Sequence, residues 1–166
     1  VGIKYGVDGK HVAMSIATKV DEKIFVESID CQSVRNGNTW IISFLKEADI
    51  EKVVIDGSGS QQILSDEIKD YGIKLKPVLP KVSDVVVANN MFEQAVTSSK
   101  NICHNDQPSL KQIVTNCKRR AIGTNGGFGF KAMMEEHEIA LLDSVILAHW
   151  ACATYKGVKK KQKISC

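Results

Sequence analysis

The sequence has little of what marks a fibrous, membrane-spanning or disulfide-built chain. Only 3 of its 166 residues are proline and 12 glycine, which excludes a collagen-like repeat or a flexible linker. With 43% hydrophobic and 25% charged residues it also lacks the composition of a disordered chain. No apolar run approaches the ~18–20 residues that a membrane-spanning helix needs. The longest apolar stretches, 139–142 and 145–148, are separated by Asp143 and Ser144. No basic segment followed by an apolar one opens the chain, so no signal peptide is read. The first residue is Val1 rather than Met, which is expected of a domain cut from a longer protein. Cys31, Cys103, Cys117, Cys152 and Cys166 are odd in number and show no CxxC spacing. That excludes a zinc ribbon and leaves reduced thiols as the expectation. No GxxxxGK[ST] segment is present, so hydrolysis of ATP on a phosphate-binding loop is not expected. A strong charge of one sign is missing too: the formal net charge is +3.

What is present is the length of one globular domain, read as residues 1–166 with a basic tail from about 156. The small net charge hides an asymmetry. Residues 1–100 carry 12 Lys+Arg against 14 Asp+Glu, whereas residues 101–166 carry 10 against 5. Alternation over 2–8 (GIKYGVD) and 11–19 (HVAMSIATK), with Gly9-Lys10 between them, predicts a hairpin. Residues 23–31 (KIFVESIDC) alternate again and predict a third antiparallel strand. A helix is expected over 40–48, capped by Asn38 or Thr39. The compact run 52–56 (KVVID) reads as a strand buried on both faces. Further helices are expected over 61–71, 82–98 with Ser83 as cap, and 109–117. A strand containing Pro77 is expected over 73–79, at a sheet edge. Residues 119–130 suggest a hairpin, and a last helix has its core at 141–155 and its start near 135. Three antiparallel strands followed by βα units imply an α/β domain of the ribonuclease H-like kind: a mixed sheet with helices on both faces.

Three carboxylates occupy unusual settings. Asp8 follows Tyr5-Gly6-Val7 at the end of the first strand, Asp56 ends the apolar fourth strand, and Asp143 interrupts an apolar helix. Each has an ordinary alternative: a turn residue for Asp8, a turn or cap for Asp56, a satisfied structural hydrogen bond for Asp143. The expected topology sets the first and fourth strands side by side at the sheet centre, with the last helix across them, and so gathers the three acids. Clustered carboxylates repel unless a cation sits among them, and hard oxygen ligands favour Mg²⁺ or Mn²⁺. Two such ions are the known arrangement for in-line displacement at phosphorus, which suggests phosphodiester hydrolysis.

The sequence resembles the C-terminal nuclease domain of the tailed-phage terminase large subunit. The likeness runs through YGVDGKHVAMSIA (5–17), VVIDGSGSQ (53–61) and NNMFEQAV (89–96). It continues through NDQPSLKQIVTNCKRRAIGTNGGFGF (105–130) and ALLDSVILAHWA (140–151). The resemblance implies a metal-dependent endonuclease that cuts concatemeric double-stranded viral DNA during genome packaging. It carries the metal-binding and catalytic acids onto Asp8, Asp56 and Asp143, with two Mg²⁺ or Mn²⁺ ions. Glu136, one heptad before Asp143, is a candidate helper ligand, and His149 is expected to be structural. The implied partners are DNA, the portal, the small terminase subunit and an ATPase domain of the same chain, in the cytoplasm of an infected bacterium.

Lys118, Arg119, Arg120 and Lys131 are candidate DNA contacts, since bases beside an acidic centre hold phosphates against its field. Lys159-Lys160-Lys161 and Lys163 add charge in the tail. Two other readings stay open. The same fold serves nucleases of branched junctions or RNA–DNA hybrids, and a non-catalytic module would only bind nucleic acid.

Overall fold

The computed structural model describes residues 1–124, 126–134 and 137–157. Three strands come first: β1 (Gly2–Tyr5), β2 (His11–Val20) and β3 (Lys23–Ser33). β1 and β2 are antiparallel, with Gly2 opposite Ser15 and Tyr5 opposite Val12, and β2 and β3 form the next antiparallel pair. Helix α1 (Thr39–Glu47), strand β4 (Val54–Asp56) and helix α2 (Ser60–Asp70) follow. β4 runs parallel to β1 and aligns Lys4 with Asp56. Then come α3 (Val82–Thr97), β5 (Ile102–Cys103), α4 (Pro108–Thr115), the strands β6 (Cys117–Ile122) and β7 (Gly127–Ala132), and α5 (Ala140–Ala153). The main sheet has the order β4-β1-β2-β3-β5, and β6-β7 form a separate hairpin.

Period-two alternation divides the sheet residues between two cores. Ile3, Tyr5, Val12, Met14, Val53 and Ile55 face α1 and α2, where Ile41, Leu45, Leu64 and Ile68 meet them. Ala13, Ile24, Val26 and Val54 face the opposite side, against α5, α3 and α4. α5 is buried almost all round, which explains its lack of a polar stripe. It lies so close on β1 that a Cβ at Gly2 would stand 2.3 Å from both Ala148 N and Ser144 O. Only glycine allows that approach, and it fixes the height of Asp143 over the sheet. The Ser15 and Ser144 hydroxyls meet at 2.6 Å in this contact, so the two buried polar groups satisfy each other.

The ribonuclease H-like mixed sheet with helices on both faces is as the sequence implies, but several elements differ. Residues 73–79 do not form a strand. Val78 alone bridges to Val54: its N–H donates to Val53 O and its carbonyl accepts from Ile55, and Pro80, the next residue facing β4, has no N–H to extend the ladder. The fifth strand lies instead at the far edge, where Ile102 and Cys103 run parallel to β3. β1 is flanked on both sides, whereas β4 is an edge strand but for that single bridge. α3 begins without Ser83 as its cap: the Asp84 carboxylate accepts the Lys81 N–H at 2.9 Å. Asn38 is the N-cap of α1, as expected, but through its carbonyl, which accepts the Ile42 N–H at 3.0 Å, and not through its side chain. Its side chain accepts from the Tyr5 hydroxyl and donates to Glu67, each at 2.8 Å. α5 starts at Ala140 rather than near 135, where the Glu138 carboxylate accepts the Ala140 N–H at 3.2 Å. Glu136 and the tail lysines at 159–161 and 163 lie outside the described residues.

Candidate functional site

The predicted acids gather near the carboxyl ends of β1 and β4, but in two groups. The inner group is built on register. Parallel pairing aligns Lys4 with Asp56, and the Lys4 ammonium donates to the Asp56 carboxylate. The two side chains are only 12% and 19% exposed. Asp143, in the first turn of α5, comes down on the same spot. Lys4, Asp56, Asn89, Arg120 and Asp143 line one pocket of about 20 Å³. That is room for about one water. Burial pushes the Asp143 carboxyl up to about 6; Lys4 and Arg120 pull it back, while Asp56 and Glu138 add to the rise. Asn89 donates to Val85 O at 2.8 Å, which leaves its buried Oδ1 without a partner.

The outer group forms on the turn after β1. β1 ends at Tyr5, and the hairpin closes where Gly6 N–H donates to His11 O at 2.8 Å. Asp8 therefore sits in the turn and not on the strand, and its Oδ1 accepts the Lys10 N–H at 3.0 Å. Its neighbours are His11 and Glu138. One ligand atom from each of Asp8, His11 and Glu138 falls within 4.8 Å of the others. His11 Nδ1 is 2.7 Å from Glu138 Oε2. Gly6 makes the space, since a Cβ there would approach Asp8 Oδ1 to 2.9 Å and Glu138 Oε1 to 3.3 Å.

Of the three predicted acids, then, Asp56 and Asp143 share a pocket and Asp8 joins a different set. Lys4, Arg120, His11 and Glu138 complete the two groups. Glu138 is hidden by the expected start of the last helix near 135, which directs attention to Glu136 instead. Lys4 carried a weak signal, a lone base between Ile3 and Tyr5 in a buried strand. His149 is structural: it is buried, its ring meets Phe92 edge-on at 5.6 Å, and burial lowers its pKa.

The β6–β7 hairpin forms over this region. Lys118 pairs with Lys131 across the hairpin and Arg120 with Gly129, so Lys118, Arg120 and Lys131 share a face. Lys118 and Lys131 are exposed and directly opposite, a like-charge pair that costs stability unless an anion lies between. Arg120 turns inward and its Nε donates to Phe130 O at 3.1 Å. Arg119 is held elsewhere: its Nε donates to Glu93 at 2.8 Å, and its guanidinium lies 4.4 Å from the Phe128 ring centroid. A larger groove of about 480 Å³ lies at the other end of β1, beside Val1, Phe44 and Tyr155, and none of the predicted site residues lines it.

The sequence matches no protein-family model and no curated protein. The structure is more informative. The mixed five-stranded sheet with helices on both faces is a ribonuclease H-like fold. Among solved structures it is similar to the large terminase nuclease from thermophilic phage G20c, with a TM-score of 0.60 and 13% identity. That match covers 93% of this chain and 81% of the other. It is similar as well to the same phage's terminase nuclease with bound magnesium, at a TM-score of 0.55 and 11% identity, covering 94% and 93%. The chain thus has the fold of large terminase nucleases over nearly its whole length.

Proposed function

We propose that this chain is a nuclease domain of a phage DNA-packaging terminase, cutting double-stranded DNA with the help of a divalent cation. The observation that carries the reading is the convergence of Asp56 and Asp143 beneath the basic β6–β7 hairpin, on a fold similar to terminase nucleases throughout. On this reading its partners are DNA, the portal, the small terminase subunit and an ATPase domain of its own chain.

The two acid groups differ in their fit to a cation. Asp8, Glu138 and the His11 imidazole offer two carboxylates and a nitrogen within reach of one ion, a donor set suited to Mn²⁺ or Mg²⁺. An ion bound there would act as a Lewis acid on a phosphodiester oxygen or on an attacking water. The inner group holds an ammonium where a second ion would sit. Lys118 and Lys131 would hold phosphates on the exposed part of the hairpin face they share, contacts that position a duplex without reading its sequence. Asp143 ionises close to neutral pH, which suits it to take a proton from a water in the pocket it shares with Asp56. Arg120 would offset charge developing on the phosphate.

One observation favours a second reading, a domain that binds DNA without cutting it: Lys4 neutralises an acid that the two-ion mechanism needs free. Nicking of supercoiled plasmid in Mn²⁺ decides between them. The nuclease reading expects nicking that falls by about 10–100-fold in Glu138→Gln and in Asp143→Asn, with both variants folded by circular dichroism. Salt-sensitive DNA binding with no nicking by the unaltered chain would establish the binding module instead.

A further inference from the structure

The inner group contains its own cation. Lys4 extends from β1 to Asp56, its partner in strand register, and both side chains are largely removed from water. An ammonium that buried needs carboxylate partners, and Asp56 is one. Asp56 and Asp143 supply two negative charges, and Lys4 and Arg120 supply two positive ones, all four around one small pocket. The remaining acceptor is the unpartnered Oδ1 of Asn89, on the same pocket. With Asp56 and Asp143 it makes a set of three oxygen donors of the kind that hard divalent ions prefer. The donors therefore fit such an ion, but the charge does not: with four charges already balanced, a dication would have to displace a buried ammonium or lie against it.

We propose that the Lys4 ammonium is the resident cation of the Asp56–Asp143 pair and closes that position to divalent metal. The outer group is different. Among the described residues, Asp8 and Glu138 pair with the His11 imidazole and an exposed Lys10 ammonium 4.0 Å from Asp8, so the group stays open to an ion. This inference goes beyond the reading as a nuclease and does not depend on DNA being the substrate. It concerns which cation the acids hold.

Mn²⁺ titration followed by electron paramagnetic resonance tests it, on the unaltered chain, Asp56→Asn, Lys4→Asp and the double variant Lys4→Asp/Asp56→Asn. The unaltered chain and Asp56→Asn are expected to bind Mn²⁺ in the same number and with the same affinity. Lys4→Asp is expected to bind one more ion, and the double variant to lose it. A bound ion lost from Asp56→Asn, or weakened there by more than about tenfold, would overturn the proposal. So would a folded Lys4→Asp that gains no ion. If Lys4→Asp does not fold, Lys4→Met keeps the apolar stem and serves in its place. Mn²⁺ should then raise its melting temperature more than it raises that of the unaltered chain, and adding Asp56→Asn should remove the excess. Equal rises in all three proteins would contradict the proposal. Failure in either arm leaves the nuclease reading to be decided by the nicking assay.

Discussion

Two carboxylate groups lie at the same end of the sheet, and what balances each of them is different. Asp56 and Asp143 are half-buried between β4 and the first turn of α5 and matched by Lys4 and Arg120 from their own chain. Asp8 and Glu138 lie on the turn after β1 and ahead of α5, beside an imidazole and in reach of solvent. The lesson is that an acid's position in an apolar strand or helix establishes that it needs a counter-charge, not where that charge comes from. In the inner group strand register supplies it. In the outer group it is left for a ligand.

The same substitution made in both groups should expose this difference. Lys4→Met leaves Asp56 and Asp143 facing one another without the ammonium. Breaking a buried pair by removing one partner costs about 3 kcal/mol or more. Lys10→Met removes an exposed ammonium 4.0 Å from Asp8 and should cost less than about 0.5 kcal/mol. Urea unfolding in EDTA compares the two, and equal losses would erase the distinction drawn here.

A smaller effect is expected from pH. The Asp143 carboxyl ionises near 6 in the folded chain, against an ordinary value of 3.8. A raised folded value means that the native state holds the proton longer than the unfolded chain does. Stability from this group is therefore full below about pH 4, declines as pH rises to about 6, and stays low above that. Asp143→Asn has no proton to lose, so its stability relative to the unaltered chain should rise by about 2 kcal/mol between pH 4 and pH 7. A difference that is flat across that range would place Asp143 in a wetter or better-paired setting.

Much of the scaffold was legible because its signals are local. The alternation that defines β1, β2 and β3, the apolar run ending at Asp56, and the helical spacing of α1, α2 and α3 each sit within one segment. The β6–β7 hairpin is marked in the same way, by its glycines. What was not legible depends on partners distant in sequence. β5 is two residues long and exists only because β3 offers it an edge. Residues 73–79 alternate like a strand, yet Val78 makes a single bridge and Pro80 after it has no N–H to continue the ladder. Lys4 looks like an ordinary strand lysine until parallel pairing sets it beside Asp56, 52 residues away. Glu138 carries no local signal for a related reason: a helix begun near 135 would place Glu136 on the Asp143 face. The start at Ala140 makes Glu138 the acid that turns back toward Asp8 and His11.

The central claim is that the inner acids hold a lysine and the outer ones are free to hold a metal. Anomalous diffraction from a crystal soaked in Mn²⁺ tests it most directly. The account predicts a peak among Asp8, His11 and Glu138, with the Lys4 ammonium still on Asp56. A peak within bonding distance of both Asp56 and Asp143, with Lys4 swung away, would contradict it.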